Sequence, residues 1–186
     1  MIKLVNINKS YDKEILKDFS YSFENGKKYL ITGKSGIGKS TLLNIITSLI
    51  KPDKGEVITT DNFSYSFQQP TLLEYYSVKK NIEIFTKKED ITDLLLPIEC
   101  LKQKVSTLSG GQKQKLSIYI ALKANSDTVL LDEPFNNLDK ESITTIINFI
   151  DNNINDRTLI ICSHQIELLK DYTLIDLDQY TRCLQK

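Results

Sequence analysis

The residues Gly33-Lys34-Ser35-Gly36-Ile37-Gly38-Lys39-Ser40-Thr41 have the types and spacing of a phosphate-binding loop, G-x-x-x-x-G-K-[ST]. Glycines let the backbone turn tightly and bring N–H donors close to phosphate oxygens. Lys39 offers a point charge that reaches outer phosphates, and Ser40 offers a hydroxyl to Mg²⁺. The flanks agree with this chemistry. Lys28 to Thr32 reads as a strand, and Thr41 to Ile50 as a helix with Leu42, Leu43, Ile45, Ile46, Leu49 and Ile50 on a broad apolar face. That helix would point its positive N-terminus at the phosphates.

A second reactive pair closes the apolar run Val129-Leu130-Leu131-Asp132-Glu133-Pro134. In phosphate-loop ATPases such a strand lies beside the loop strand. Its Asp helps hold Mg²⁺, and the Glu after it accepts a proton from the attacking water or orients it. His164, the only histidine, follows Ser163 at the end of another apolar run, Thr158 to Cys162.

The elements that must position these residues read as a mixed α/β pattern. Residues 2–7 alternate as a strand, Tyr11 falls in a turn-like stretch, and Ile15 to Phe23 reads as a second strand. Asn25-Gly26 predicts a hairpin turn. The first helix should stop near Lys51-Pro52-Asp53-Lys54-Gly55, before short strands at Glu56 to Thr60 and Phe63 to Phe67. Residues 71–126 read mostly as helices, broken at Pro97 and at Gly110-Gly111. Strands return at Thr128 to Leu131, Thr158 to Cys162 and Thr173 to Leu177, with helices near 140–153 and Glu167 to Asp171. The expectation is an α/β core interrupted by a helical insertion.

Composition bounds the function. The chain has 186 residues, 40% hydrophobic and 26% charged, enough for one domain with a sizeable core. Lys+Arg and Asp+Glu both total 24, so no global charge marks a nucleic-acid binder. Lys79, Lys80, Lys87, Lys88, Lys102, Lys104, Lys113 and Lys115 bunch together, but Glu83, Glu89, Asp90, Asp93 and Glu99 offset most of them, as on a solvated helical face, with a surface facing lipid head groups the weaker alternative. Cys100, Cys162 and Cys183 form no C-x-x-C pair, so buried or incidental thiols in a reducing compartment are expected. No signal-peptide core or bilayer-length apolar run is present, so any membrane part would come from another chain.

Leu108-Ser109-Gly110-Gly111-Gln112 resembles the signature motif of ATP-binding cassette (ABC) ATPases. The resemblance covers nearly the whole chain, with motifs in family order from Tyr11 to His164. It implies an α/β P-loop NTPase core of ABC type, with an N-terminal antiparallel β subdomain and a short helical insertion. The expected division is a single domain over 1–186, its core formed by 1–70 and 127–186 and its helical subdomain by 71–126.

The resemblance also implies roles, residue by residue. Gly33 to Thr41 would hold the phosphates of ATP, and Tyr11 would stack on adenine. Lys39, Glu133 and His164 would be catalytic, with His164 contacting the γ-phosphate. Ser40, Gln68 and Asp132 would hold Mg²⁺. Gln68 stands in a glutamine-loop match, Phe67-Gln68-Gln69-Pro70, with Gln69 as the register rival. Ser109, Gly110 and Gly111 would face the γ-phosphate bound by the opposite subunit, with the dipole of a helix from Gln112 to about Lys123 behind them. Asn136-Asn137-Leu138-Asp139 resembles the loop that crosses the dimer contact, with Asp139 the better match because the family has a small residue where Asn137 stands.

The insertion and the tail after the last strand are short for the family, and Lys115 stands where the family often has arginine. The implied function is the ATP-hydrolysing subunit of an ABC transporter, peripheral on the cytoplasmic face of the cell membrane. Its partners would be a second ATPase subunit, as homo- or heterodimer, and a separate membrane permease, with no nucleic acid. A non-transport ABC ATPase acting on nucleic acid or ribosomes is the alternative, and a small-molecule kinase a weaker one. The cargo, and import versus export, are not written in these residues.

Overall fold

The computed structural model describes residues 1–87, 91, 93–136 and 138–182, with backbone alone at 181 and 182. Lys88, Glu89, Asp90, Asn137 and Cys183 lie outside the described residues. Two sheets organise the chain. β1 (Ile2–Ser10), β2 (Glu14–Phe23) and β4 (Lys54–Ile58) form an antiparallel sheet in the order β2-β1-β4. β3 (Lys28–Thr32), β5 (Phe63–Ser66), β6 (Thr128–Asp132), β7 (Thr158–Cys162) and β8 (Thr173–Asp176) form a parallel sheet in the order β5-β6-β7-β3-β8.

The strands at the centre of the parallel sheet are apolar on both faces because both faces are covered. Alternate residues separate into two cores. Leu30, Val129, Leu131, Leu159 and Ile161 pack toward α3 (Gly110–Lys123) and α4 (Lys140–Asn153). Tyr29, Ile31, Leu130, Ile160 and Cys162 pack toward α1 (Lys39–Ile46) and the antiparallel sheet, joined by Ile2, Leu4, Phe19 and Phe23. The two-residue period of a strand thus joins the helical side to the β side through one sheet.

Several expectations change. Asn25-Gly26 does turn, with Gly26 at φ 70, but it is not a hairpin. β2 pairs with β1, whereas β3 pairs with β7 and β8, so the turn carries the chain from one sheet to the other. The Asp132 strand does not lie beside the loop strand, because β7 stands between β6 and β3. α1 ends at Ile46 rather than Ile50. Thr47 folds its hydroxyl back on Leu43 O and Asn44 O, Ser48 takes φ 60, and Leu49 faces solvent.

Residues 71–126 are less helical than their pattern suggests. Among the described residues they hold α2 (Val78–Thr86), α3 and two 3₁₀ turns, Ile98–Lys102 and Val105–Thr107. Loop segments are fixed instead by hydrogen bonds such as Val78 N to Gln103 O and Val105 N to Tyr76 O. Gly110-Gly111 starts a helix instead of breaking one. The expected helix at Glu167 to Asp171 is a 3₁₀ turn, Ile166–Leu168. An unforeseen helix, α5 (Leu177–Arg182), follows β8. Cys100 and Cys162 are free and buried, as incidental thiols would be.

Candidate functional site

One cleft gathers most of the singled-out residues. Tyr11, Ser35, Gly36, Gly38, Lys39, Ser40, Thr41, Gln68 and Glu133 line it together with Ile15, around about 210 Å³ of space. Gln68 lines it and Gln69 is not among its walls. Gly33, Lys34 and Ile37 belong to the loop without lining the cleft. Gly38 shows why the loop needs glycine there. Its φ is 115, and an added Cβ would sit 2.5 Å from Ile15 Cγ2.

β7 is the spacer that sets the polar geometry. It pairs with β3 and β6, so Ile31 and Asp132 both stand level with Cys162. Glu133 follows β6 at φ 46 and donates its N–H to Cys162 O at 2.8 Å. A non-glycine residue in the left-handed region stores backbone strain, and such strain collects at functional positions. His164 follows β7 and places Nδ1 3.2 Å from Glu133 Oε2. Lys39 Nζ donates to Gly33 O at 2.9 Å and Lys34 O at 3.4 Å, and lies 3.5 Å from Glu133 Oε1. One nearly buried carboxylate therefore bridges the loop ammonium and an imidazole that is 62% exposed.

Asp132 lies below this group and is buried. Burial pushes its carboxyl above the usual range, and the Glu133 charge adds to that. The Ser40 hydroxyl pulls the other way most strongly, followed by Lys39 and Tyr65. Oδ2 faces the Tyr65 hydroxyl at 3.5 Å, while Oδ1 is buried with no hydrogen-bond partner. A desolvated, unpaired carboxylate oxygen near a serine hydroxyl is an oxygen-donor set that suits a hard divalent cation such as Mg²⁺.

The signature residues lie elsewhere in the chain. Ser109 caps α3 with a full capping box. Its Oγ accepts Gln112 N–H at 3.2 Å, and Gln112 Oε1 accepts Ser109 N–H at 2.9 Å. Gly110 has open space where a Cβ would stand, and Gly111 meets Leu138. Ser109 and Gly111 line a separate groove with Leu138, Asp139 and Ser142. This chain does not bring Ser109, Gly110 or Gly111 to the cleft of Lys39 and Glu133.

Sequence reasoning missed the supports of the loop. Lys34 N–H donates to Asp178 Oδ2 at 3.1 Å, across 144 residues. Tyr65 against Asp132 and Ile15 against Gly38 are likewise long-range. No local pattern marks them, because each contact exists only once the strands are in order.

A family model described as ABC transporter matches residues 16–136, more than half of the chain. The aliphatic sulfonates import ATP-binding protein SsuB 1 of Rhodococcus jostii is 33% identical, over 96% of this chain and 80% of that protein. The molybdate/tungstate import ATP-binding protein WtpC of Pyrococcus horikoshii is 32% identical over 79% of this chain. The chain spans about half of that protein's length (49%). Among solved structures, the ATP-binding cassette MJ0796, described as a dimer in a post-hydrolysis state bound to ADP and Pi, superposes with a TM-score of 0.83 at 28% identity. That superposition covers 95% of this chain and 94% of the other. With this architecture and these matches, the chain belongs to the ABC transporter family.

Proposed function

We propose that this chain is the ATP-binding and hydrolysing subunit of an ABC transporter, working as a head-to-tail dimer that drives a separate membrane permease. The observation that carries the reading is the division of the motif set. The cleft is lined by residues of the loop, Gln68 and Glu133, while Ser109 and Gly111 line another groove of the same chain and Gly110 opens on free space beside them. A site that uses both sets is completed by a second chain. The names of the import relatives and the dimeric neighbour support it.

In this reading Tyr11 stacks on adenine and the N–H groups of the loop hold the phosphates. Lys39 leaves the carbonyls of Gly33 and Lys34 for the γ-phosphate, which also draws it away from Glu133. Glu133 then accepts a proton from the water that attacks phosphorus, and the bond to the β-phosphate oxygen breaks, leaving ADP. His164 orients Glu133 and reaches toward the same phosphate. Ser40, Asp132 and Gln68 would hold Mg²⁺, which would supply charge neutralisation for the phosphates. The donors Ser109, Gly110 and Gly111 meet the γ-phosphate from the partner.

Residues 71–126 are the lobe proposed to meet the permease. Leu73, Tyr75 and Tyr76 are exposed just beyond Gln68, Tyr75 by 89%. The buried Asn81 fixes the loop that carries them through Leu73 N, Leu73 O and Ser77 O. Rigid, exposed aromatic residues favour a protein partner. No helix among the described residues is long and apolar enough to cross a membrane. In this reading the permease supplies the membrane path and this chain sits on its cytoplasmic face. The zero net charge favours transport over nucleic-acid work.

Mixing two dead variants tests the division. Gly110→Asp places a carboxylate where the partner's phosphate would lie. The position is open and in the first helical turn, so the fold tolerates it. Gly110→Asp and Lys39→Ala should each be inactive alone. An equal mixture should recover about a quarter of wild-type hydrolysis, since half of the dimers then carry one intact site of two. No recovery from variants that still dimerise would overturn the head-to-tail reading.

A further inference from the structure

A tight polar cluster stands behind Tyr11, at the rim of the cleft farthest in sequence from the reacting carboxylates. Lys9 Nζ lies 5.5 Å from the centroid of the Tyr11 ring. The same ammonium donates to Asp53 Oδ1 at 2.8 Å and to Lys51 O at 3.1 Å. Asp53 Oδ2 accepts Ser10 N–H at 2.7 Å, and Asp53 N–H donates to Asn8 O at 2.8 Å. Tyr11 N–H closes the turn on Lys13 O at 3.0 Å. One aspartate in the turn between α1 and β4 thus grips Asn8, Lys9 and Ser10, the residues that lead into Tyr11.

Lys9 is held rather than loose. Only 14% of its side chain is exposed, whereas free lysines extend their ammonium into water. Its hydrogen bond and the Ser10 N–H keep the Asp53 carboxyl below the usual range, as a carboxylate clamped by both would be. An ammonium on one side of an aromatic ring fixes the ring's orientation through its quadrupole. The remainder of the Tyr11 ring is exposed and forms part of the cleft wall. Among the described residues, the hydrogen bonds of Lys9 and Asp53 run to Lys51, Asn8, Ser10 and each other rather than to the phosphate loop.

We infer that Lys9 and Asp53 are positioning residues for the base-side wall: they hold the Tyr11 ring as a fixed platform, so the turn at 51–53 tunes affinity for the base of a nucleotide and leaves the phosphate grip alone. The inference rests on the proposed stacking of adenine on Tyr11. It separates two contributions to binding that a single affinity for nucleotide would merge.

Calorimetric titration of the intact chain with ADP and with pyrophosphate, which lacks a base, tests it. Tyr11→Ala should weaken ADP about tenfold and leave pyrophosphate unchanged. Asp53→Ala and Lys9→Ala should each weaken ADP about three- to fivefold, again without effect on pyrophosphate. Lys9→Arg keeps the cation and should restore most of the affinity. Asp53→Ala should add nothing in a Tyr11→Ala background. Wild-type ADP affinity in Asp53→Ala, with Tyr11→Ala weakened, overturns the positioning role and leaves the stacking standing. An unaffected Tyr11→Ala overturns both. Equal losses for ADP and pyrophosphate in Asp53→Ala also overturn the inference, since the turn would then act on the phosphate grip or the fold.

Discussion

The phosphate-loop cleft and the signature segment are both built around the start of a helix, yet they are finished to different degrees. In the cleft, four strand ends and a loop converge. Glu133 already touches both Lys39 and His164, and Asp132 keeps an oxygen unpaired beside them. At the signature, Ser109 and Gln112 satisfy each other in a capping box, and Gly110 opens on empty space. The first region holds polar groups in costly positions, including a strained Glu133 and a buried carboxyl. The second is locally relaxed. Strain without local compensation marks a place where a ligand does the compensating. In the proposed reading, the relaxed cap with an open glycine beside it is the part offered to the partner chain.

The largest expected effect strikes the cleft. Glu133→Gln should lower hydrolysis by a factor on the order of a thousand while nucleotide affinity is kept, because the amide no longer competes for Lys39 and no longer accepts the water's proton. Gel filtration with ATP should then show dimer accumulating. Normal turnover in this variant would remove Glu133 from the base role and weaken the contrast at its root.

An intermediate effect belongs to the signature. Ser109→Ala loses the cap of α3, which costs about 1 kcal/mol of stability in a denaturant titration. Hydrolysis should fall about a hundredfold, since in the proposed dimer one donor to the partner's phosphate is lost. The affinity of the monomer for ADP should stay unchanged, since Ser109 does not line that cleft. If ADP binding falls in step with hydrolysis, the two regions are not separate half-sites.

The smallest effect also belongs to the signature groove. Asp139 caps α4 and shares the signature groove, accepting Ser142 N–H at 2.7 Å. That hydrogen bond holds its carboxyl below the usual carboxylate range. The folded value is therefore below the unfolded one, so its contribution is complete above the usual range and is lost as pH falls through the depressed value. Asp139→Ala should melt slightly lower than wild type at neutral pH, and the gap should close in acid. A gap independent of pH would assign Asp139 to packing rather than to capping.

Local chemistry made much of this protein legible from residues alone. The loop Gly33–Thr41, the acids after Leu131 and the pentapeptide around Ser109 are contiguous, and each works through backbone geometry that short-range sterics and caps dictate. The strands Lys28–Thr32 and Thr158–Cys162 were readable for the same reason, as apolar runs covered on both faces. Other features misled. Asn25-Gly26 specifies a turn but not whether its flanks pair, and residues 71–126 carry apolar spacing that loops satisfy as well as helices do.

What the sequence by itself determined is the chemical inventory: a phosphate loop, paired acids, one imidazole, and a signature that marks the family. Tertiary structure alone decided which of these meet. Parallel strand order is set by crossovers between distant segments, so nothing local places β7 between β3 and β6. That one placement brings His164 to Glu133 and Glu133 to Lys39. The same long-range packing ties Lys34 to Asp178 and Lys9 to Asp53, and leaves Ser109 outside the lining of the cleft.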